Sequence, residues 1–352
     1  MGAYRAAIVG LTGIAAEPRQ PATLPSLGEH MPHSHAAAYA QVPCTTVVAY
    51  CDLIPARLDE FRANWGATFP EARGYADYRE MLRQEQIDLL SVVTSDHRHA
   101  DIVVEGVRAG VRGVFCEKPI ATTLADADRM IAACAGRGVP LLIDHSRRWY
   151  PEWVEARELV RRGAIGQLRR ITATLGGPRA MLFRNGTHLV DAICYFAESD
   201  PLWVVGELDD EHRGYGPRYA GDGGRDPATD PGGSAYVHFA NGVRAFVNAS
   251  KGTAQNFELD LVGERGRLRI GTHVGELWRV DDGRPVVSQL PRPRTTRADL
   301  VAAIDELVRL IEQAGTPTSG GQDGRRALSI LLGILQSSAA GGKRIDFPIQ
   351  DA

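Results

Sequence analysis

Between Tyr4 and Asp144, short unbroken apolar runs alternate with longer stretches of helical period, and this alternation leaves few folds open. The runs are Ala6–Val9, Thr46–Cys51, Leu89–Thr94, Val114–Cys116 and Leu141–Ile143. Between them lie helix-period stretches such as Pro55–Trp65, Ala100–Ala109 and Leu124–Gly136. A strand that is apolar at every position must be covered on both faces, whereas a half-exposed strand alternates. Helical crossovers supply that cover and make the strands they join parallel. This part of the chain therefore reads as α/β, a doubly wound parallel sheet.

After Arg147 the texture changes. Pro151–Arg162 and His188–Phe196 read as helices, with Thr187 expected to cap the second. Strand-like runs follow at Leu202–Leu208, Ser234–Phe239, Val243–Ser250, Glu258–Val262, Gly266–Ile270 and Gly275–Val280. Turns such as Asn241-Gly242 separate them, so successive pairs are expected to be antiparallel hairpins. Helices at Arg297–Ala314 and Asp323–Ala339 and a short strand at Arg344–Pro348 close the chain. The expected domains are 1–146, a nucleotide-binding sheet, and 147–352, an α+β domain on a large, mostly antiparallel sheet. Two stretches break the pattern. Ala16–Pro32 is a Pro- and Gly-rich insertion after the first strand, and Asp209–Pro231 is rich in Gly, Asp and Arg. Loops of such length inside a compact domain are usually functional or disordered.

Charge and cysteine usage exclude several partners. A net charge of -3 with no basic block argues against nucleic acid or an anionic membrane surface. No apolar stretch is long enough to span a bilayer, and the start, Met1–Arg5, lacks a signal-peptide core. The scattered Cys44, Cys51, Cys116, Cys134 and Cys194 form no Cys-x-x-Cys pair and read as reduced thiols, which points to a cytoplasmic setting.

The candidate site residues stand at strand ends. Gly10-Leu11-Thr12-Gly13 follows the first strand as an incomplete glycine-rich turn. Gly10 can make the tight turn, Thr12 stands where a second glycine would admit a pyrophosphate, and Gly13 comes one residue later. A plain strand-to-helix connection explains the same residues. Asp52 ends the second strand, where a carboxylate can bond both ribose hydroxyls and repel a 2′-phosphate, so the expected cofactor is NAD. The competing role for Asp52 is a turn residue. Thr94 and His99 follow the third run and can line or cap the same site. His30, His33, His35, His97 and His99 lack the spacing of a metal site, and no metal is expected. Glu117-Lys118-Pro119 ends the Val114–Cys116 run, where a lysine faces the crevice at which such sheets bind ligands. Asn185-Gly186-Thr187-His188 opens a helix, with Asp191 three residues on and on the same face. A histidine there can exchange a proton near neutral pH, or can serve as a core or capping residue.

Taken together, these residues resemble the Gfo/Idh/MocA family of nicotinamide-dependent oxidoreductases. The likeness runs through Gly10–Gly13, Cys51-Asp52, Thr94 with His99, Glu117-Lys118-Pro119, Arg147–Pro151, Gly163–Gly166, Gly186–Asp191 and the tail from Ser337 to Pro348. It implies an N-terminal Rossmann dinucleotide-binding domain and a C-terminal domain with an open-faced sheet used for substrate binding and oligomerisation. It implies that Lys118 is the catalytic lysine, that Glu117 contacts the nicotinamide ribose and that His188 is the acid/base. Arg184 departs from the pattern, because many members carry an aspartate four residues before the histidine. With Arg147 and Asn185 it is a candidate substrate residue. Arg147, Arg148 and Arg179 are candidates to stand beside Arg184, whose guanidinium would suit an acidic sugar; the competing role for Arg184 is a residue turned to solvent or paired with an acid such as Asp191. The expected activity is hydride transfer between NAD and a hydroxyl carbon of a sugar, sugar acid or cyclitol. A redox-neutral NAD-dependent glycosidase or lyase, and a non-catalytic NAD-binding regulator, are the alternatives. The expected partners are a small sugar-like substrate and further copies of the chain, as a homodimer or homotetramer.

Overall fold

The computed structural model describes residues 4–18, 34–212, 214–221, 226–281, 283–291, 297 and 299–351. Most of the Ala16–Pro32 insertion, with His30 and His33, and parts of the Asp209–Pro231 stretch lie outside the described residues. The chain divides into two compact units. The first comprises Met1–Ala121, Ala125–Trp149 and Arg294–Gln322. The second comprises Thr122–Leu124, Tyr150–Pro293 and Asp323–Ala352.

The first unit starts β1 (Tyr4–Val9), α1 (His35–Gln41), β2 (Thr45–Cys51), α2 (Pro55–Trp65), β3 (Arg73–Tyr75) and α3 (Tyr78–Gln84). It continues β4 (Leu89–Val92), α4 (His99–Ala109), β5 (Gly113–Cys116), α5 (Leu124–Ala135) and β6 (Leu141–Ile143). The strands form one six-stranded sheet in the order β3-β2-β1-β4-β5-β6, with every pair parallel. The order reverses between β1 and β4, so the carboxyl ends of these strands flank the crevice where open α/β sheets bind ligands. β4 and β5 are buried along their whole length, as their unbroken apolar runs require. β3, α1 and α3 are additional to the expected elements. β3 has only three residues, two of them exposed. α1 follows the insertion, whose base is tied by a hydrogen bond of 2.9 Å from Ser34 Oγ to the Glu17 carbonyl.

The second unit contains α6 (Pro151–Arg161), β7 (Leu168–Gly176), α7 (Gly186–Ala197), β8 (Pro201–Leu208), β9 (Gly233–Phe239) and β10 (Arg244–Ser250). After these come β11 (Asn256–Gly263), β12 (Gly266–Gly271), β13 (Gly275–Asp281) and β14 (Arg284–Gln289). Next in the chain is α8 (Asp299–Gln313), followed by α9 (Gly321–Ala339) and β15 (Ile345–Asp346). The sheet has nine strands in the order β14-β13-β12-β11-β7-β10-β9-β8-β15. All its pairs are antiparallel except β7 with β10. The expected antiparallel pairs β8–β9, β9–β10, β11–β12 and β12–β13 are present, but β10 and β11 do not pair because β7 lies between them, and β7 and β14 join the expected set. β7 lies mid-sheet and alternates as a half-exposed strand should: Ile171, Ala173 and Leu175 are buried while Thr172 and Thr174 are half-exposed. Helices α6 and α7 pack on one face of the sheet, and Ile334 of α9 packs against Gly206. The other face carries Tyr236, Phe246, Trp278 and ion pairs such as Arg269–Glu258. Among the described residues no helix is long and apolar enough to cross a membrane.

One expectation needs correction. The segment after Arg147 is not one continuous second domain, because α8 returns to the first unit. Its apolar stripe of Leu300, Val301, Ile304, Leu307 and Leu310 joins the core that holds Tyr39, Phe115 and Trp149. Trp149 Nε1 donates to Glu306 at 2.7 Å, and the Ile143 N–H donates to the Ser319 carbonyl at 2.8 Å. The sequence gives α8 an amphipathic pattern but cannot say which sheet its stripe will cover.

Candidate active site

The turn after β1 is shaped for a close approach. Gly10 has φ +88, and a Cβ there would lie 2.3 Å from the Val93 carbonyl oxygen, so only glycine fits. Gly13, with φ +56, would place a Cβ in ordinary contact with the Glu17 side chain and starts a single 3₁₀ turn, Gly13–Ala15. Thr12 precedes that turn in extended conformation, with no side-chain capping bond. Asp52 is half-buried at the end of β2, and both its oxygens accept main-chain N–H groups: Leu11 at 2.9 Å and Ile54 at 2.9 Å. The carboxylate thus ties the glycine turn to the second strand. Each oxygen keeps a second lone pair, enough to accept two ribose hydroxyls. The turn and the carboxylate fit the adenosine half of NAD.

His99 takes a different place from the one expected. It is fully buried at the start of α4. Nδ1 faces the Pro119 carbonyl at 3.0 Å, and Nε2 faces the Thr94 carbonyl at 3.2 Å. The ring lies between these two main-chain carbonyls, which places His99 as a brace between the end of β4 and the loop after β5. Thr94 Oγ1 lies 3.4 Å from the Ser95 carbonyl.

Glu117 and Lys118 follow β5 and are 3% and 8% exposed, values unusual for charged residues without partners. Glu117 Oε1 lies 3.4 Å from His35 Nε2, and Oε2 accepts the Lys118 N–H at 3.3 Å. Burial pushes the Glu117 carboxyl up. The hydrogen bonds from His35 and Asp144 and the charge of Lys118 outweigh burial and hold it well below the usual carboxylate range. Asp144, which follows β6, goes the other way: burial and the neighbouring Glu117 and Asp299 raise it well above its ordinary value. Asp299, the first residue of α8, is raised to about 7 by burial and Glu117, against the opposing charge of Arg147. Arg147 thus stands in the first unit with its charge on Asp299, and Arg148 donates to the Thr318 carbonyl at 2.8 Å. Arg147 and Arg148 belong to the first unit, Arg179 and Arg184 to the second.

In the second unit a clamp shapes the segment before His188. Asp230 is fully buried, and its two oxygens accept the N–H groups of Phe183 at 3.1 Å and Arg184 at 2.8 Å. The Leu182 N–H donates to the Pro231 carbonyl at 2.7 Å, and the Phe183 ring stacks on Tyr219 at 3.9 Å. Lys251 Nζ in turn donates to the Pro227 and Asp230 carbonyls. The Gly/Asp/Arg-rich stretch is therefore the piece that holds the Arg184 backbone. Asn185 Nδ2 donates to the Arg179 carbonyl at 2.7 Å, so it shapes this turn. Helix α7 starts at Gly186 with Asn185 before it, which corrects the expected Thr187 cap. His188 sits half-buried on the first turn, and Asp191 is buried one turn on. Asp144, Asp299 and Asp230 are not among the residues singled out from the sequence, and His35 is there weighed only as a metal ligand. Asp144 carried a readable signal, since it ends an apolar run as Asp52 does.

Comparison with known proteins is decisive at this point. Residues 5–145 match the model of an oxidoreductase family with an NAD-binding Rossmann fold, and residues 153–269 match the Gfo/Idh/MocA C-terminal domain. Myo-inositol 2-dehydrogenase of Thermotoga maritima is 30% identical over 333 residues, covering 88% of this chain and 93% of that protein. The chain belongs to the Gfo/Idh/MocA family. It is an NAD-dependent oxidoreductase. D-apiose dehydrogenase of Paraburkholderia graminis is 26% identical over 88% of this chain and 85% of that protein. The WlbA dehydrogenase of Bordetella pertussis, solved with NADH and UDP-GlcNAcA, shares the fold with a TM-score of 0.72 at 20% identity, over 99% of this chain and all of that one.

Proposed function

We propose that this Gfo/Idh/MocA oxidoreductase moves hydride between NAD and a hydroxyl-bearing carbon of a sugar, sugar acid or cyclitol. The observation that carries this reading is a buried lysine at the carboxyl end of β5, in a chain similar along most of its length to dehydrogenases of inositol and apiose. Bound NAD supplies the hydride acceptor. Gly10 and Gly13 admit its phosphates and Asp52 its ribose hydroxyls. Lys118 polarises the substrate oxygen and stabilises the alkoxide that develops on it. His188 takes the hydroxyl proton, and the Asp230 clamp fixes the backbone from which His188 projects. Arg184 supplies a guanidinium in place of the family's aspartate, which suits a substrate with an acidic group. Neither a redox-neutral glycosidase nor a regulator draws support from the relatives named above. The test is NADH formation across a panel of neutral sugars, matching uronic acids and cyclitols. Reduction of NAD by at least one class supports the reading. Turnover that cleaves a glycoside without net NADH would replace it.

We also infer that the second-unit sheet joins copies of the chain. Its uncovered face carries Phe246 at 41% and Trp278 at 39% exposure, more apolar surface than a solvated sheet face usually shows. A dimer or tetramer is expected in solution at micromolar concentration, and a Phe246→Lys substitution should weaken it. A monomeric mass for the unaltered chain would contradict this.

A further inference from the structure

The buried acids around Lys118 form a defined hydrogen-bond network. The β5–β6 register pairs Cys116 with Ile143, and the Asp144 N–H donates to the Cys116 carbonyl at 2.9 Å. Glu117 and Asp144 are therefore the next residues on two neighbouring parallel strands. Their carboxyl groups are almost wholly buried, and each offers an oxygen within 4.8 Å of the other. Two carboxylate anions this close and out of water are costly, so one group keeps its proton. Like charges in such contact cannot both ionise.

The surrounding donors decide which group keeps the proton. Two nitrogens face Glu117. His35 Nε2 faces it at 3.4 Å, and the Lys118 N–H lies at 3.3 Å. Behind His35, Ser91 Oγ lies 2.9 Å from Nδ1, and the Tyr39 hydroxyl lies 2.9 Å from Ser91 Oγ. One orientation satisfies this chain throughout: Tyr39 donates to Ser91, Ser91 to His35, and His35 to Glu117. Asp144, by contrast, has Oδ1 buried without a hydrogen-bond partner among the described residues. A buried lone oxygen costs far less as the carbonyl of a neutral acid than as half of an anion. Asp299 faces the same cluster from the start of α8, with Arg147 opposite it.

We propose that Asp144 is a neutral carboxylic acid at neutral pH whose O–H donates to Glu117, and that this pair, with His35, is the positioning device for Lys118. The proposal rests on the assignment of Lys118 to the hydride-transfer step. An ionised Asp144 would place a second anion in the cluster and draw the Lys118 ammonium back toward it. A neutral Asp144 leaves Glu117 as a fixed single charge. The nearest ligating atoms of His35, Glu117 and Asp144 all lie within 4.8 Å of one another, so a divalent cation is the rival occupant of the proton's place.

Infrared difference spectroscopy of the full-length protein reads the proton directly. The spectrum of Asp299→Asn minus that of Asp299→Asn/Asp144→Asn, at neutral pH, should contain a protonated-carboxyl C=O band that shifts in D₂O. This readout needs no turnover, so it can fail or succeed whatever the substrate is. A spectrum with only carboxylate bands would overturn the proposal, as would a stoichiometric divalent cation in the purified protein. If the double variant does not fold, ¹³C-aspartate labelling of Asp299→Asn alone gives the same answer from the label shift of the acid band. In turnover, Asp144→Leu should lower kcat about tenfold, because it leaves a buried acceptor without its donor. Asp144→Asn, whose amide can still donate, should recover most of that loss. Equal losses in the two variants would mean that the hydrogen bond does not position Lys118.

Discussion

Lys118 and His188 are held by different physics. Lys118 leaves the end of a fully buried strand, among carboxyl and imidazole groups delivered by the ends of β5 and β6 and the starts of α1 and α8. His188 leaves the first turn of a helix whose approach is held by Asp230, 46 residues beyond Arg184, through two main-chain N–H groups. The first arrangement is a closed polar network in which each group fixes the charge of the next. Such networks are rigid when complete and costly when one member is lost. The second is a loop laid over a turn, and loops of this kind open more readily than core strands. Lys118 chemistry should therefore respond to protons, and the His188 segment to substrate.

The largest effect that would test this contrast is on His188 itself. His188→Ala should lower kcat by about 10²–10⁴ if the imidazole is the acid/base. Near-normal kcat would move proton transfer to another group. Loosening the clamp should act differently. Asp230→Ala leaves the Phe183 and Arg184 N–H groups without their acceptor, at a cost of about 1–3 kcal/mol. Its expected effect is a rise of about tenfold in substrate KM with little change in the NAD dissociation constant. A matched loss of NAD affinity would mean that the clamp is not local.

Asp52 gives a prediction confined to the first unit. Asp52→Ala should narrow the preference for NAD over NADP by about tenfold or more, because a carboxylate beside a 2′-phosphate is a like-charge pair. The same variant should lose some stability, since the Leu11 and Ile54 N–H groups lose their acceptor. NADP binding as tight as NAD binding in the unaltered protein would remove Asp52 from the selectivity role.

The smallest effect is on stability against pH. Asp144 and Asp299 are raised in the folded chain, so folding retains protons that the unfolded chain sheds above its ordinary aspartate value of 3.8. Stability then falls as pH rises, by about 1.4 kcal/mol per pH unit for each retained proton. For Asp299 that loss is complete near about 7. Glu117 has the opposite sign, since its lowered carboxyl contributes stability above its ordinary value of 4.5 that is lost as pH falls. Asp144→Asn removes one retained proton, so its melting temperature relative to the unaltered protein should climb between about pH 5 and about pH 8. A constant difference across that range would mean that Asp144 is ionised in the folded state.

Much of this layout could be read from residues alone, for a physical reason. Apolar runs covered on both faces must be parallel strands with helical crossovers, and their carboxyl ends locate Gly10, Asp52, Glu117 and Lys118 on one edge of a sheet. Local patterns carry no information about partners distant in sequence. β7 pairs in parallel with β10 although the paired residues, such as Arg170 and Arg244, stand 74 positions apart. α8 could have covered either sheet, Asp299 reaches Glu117 from 182 positions away, and the Asp230 clamp comes from a stretch with no apolar period. His99 and Asn185 were marked for their polar chemistry, and the structure shows that chemistry turned on the main chain.

The most direct measurement pairs turnover with cofactor binding in Lys118→Ala. Lys118 is expected to act on the charge that develops in the transition state, within a framework that stands without its side chain. The variant should therefore bind NAD within about threefold of the unaltered protein, while kcat for NADH formation falls by about 10²–10³. A variant that still forms NADH at close to the original rate would contradict the assignment of Lys118 to catalysis.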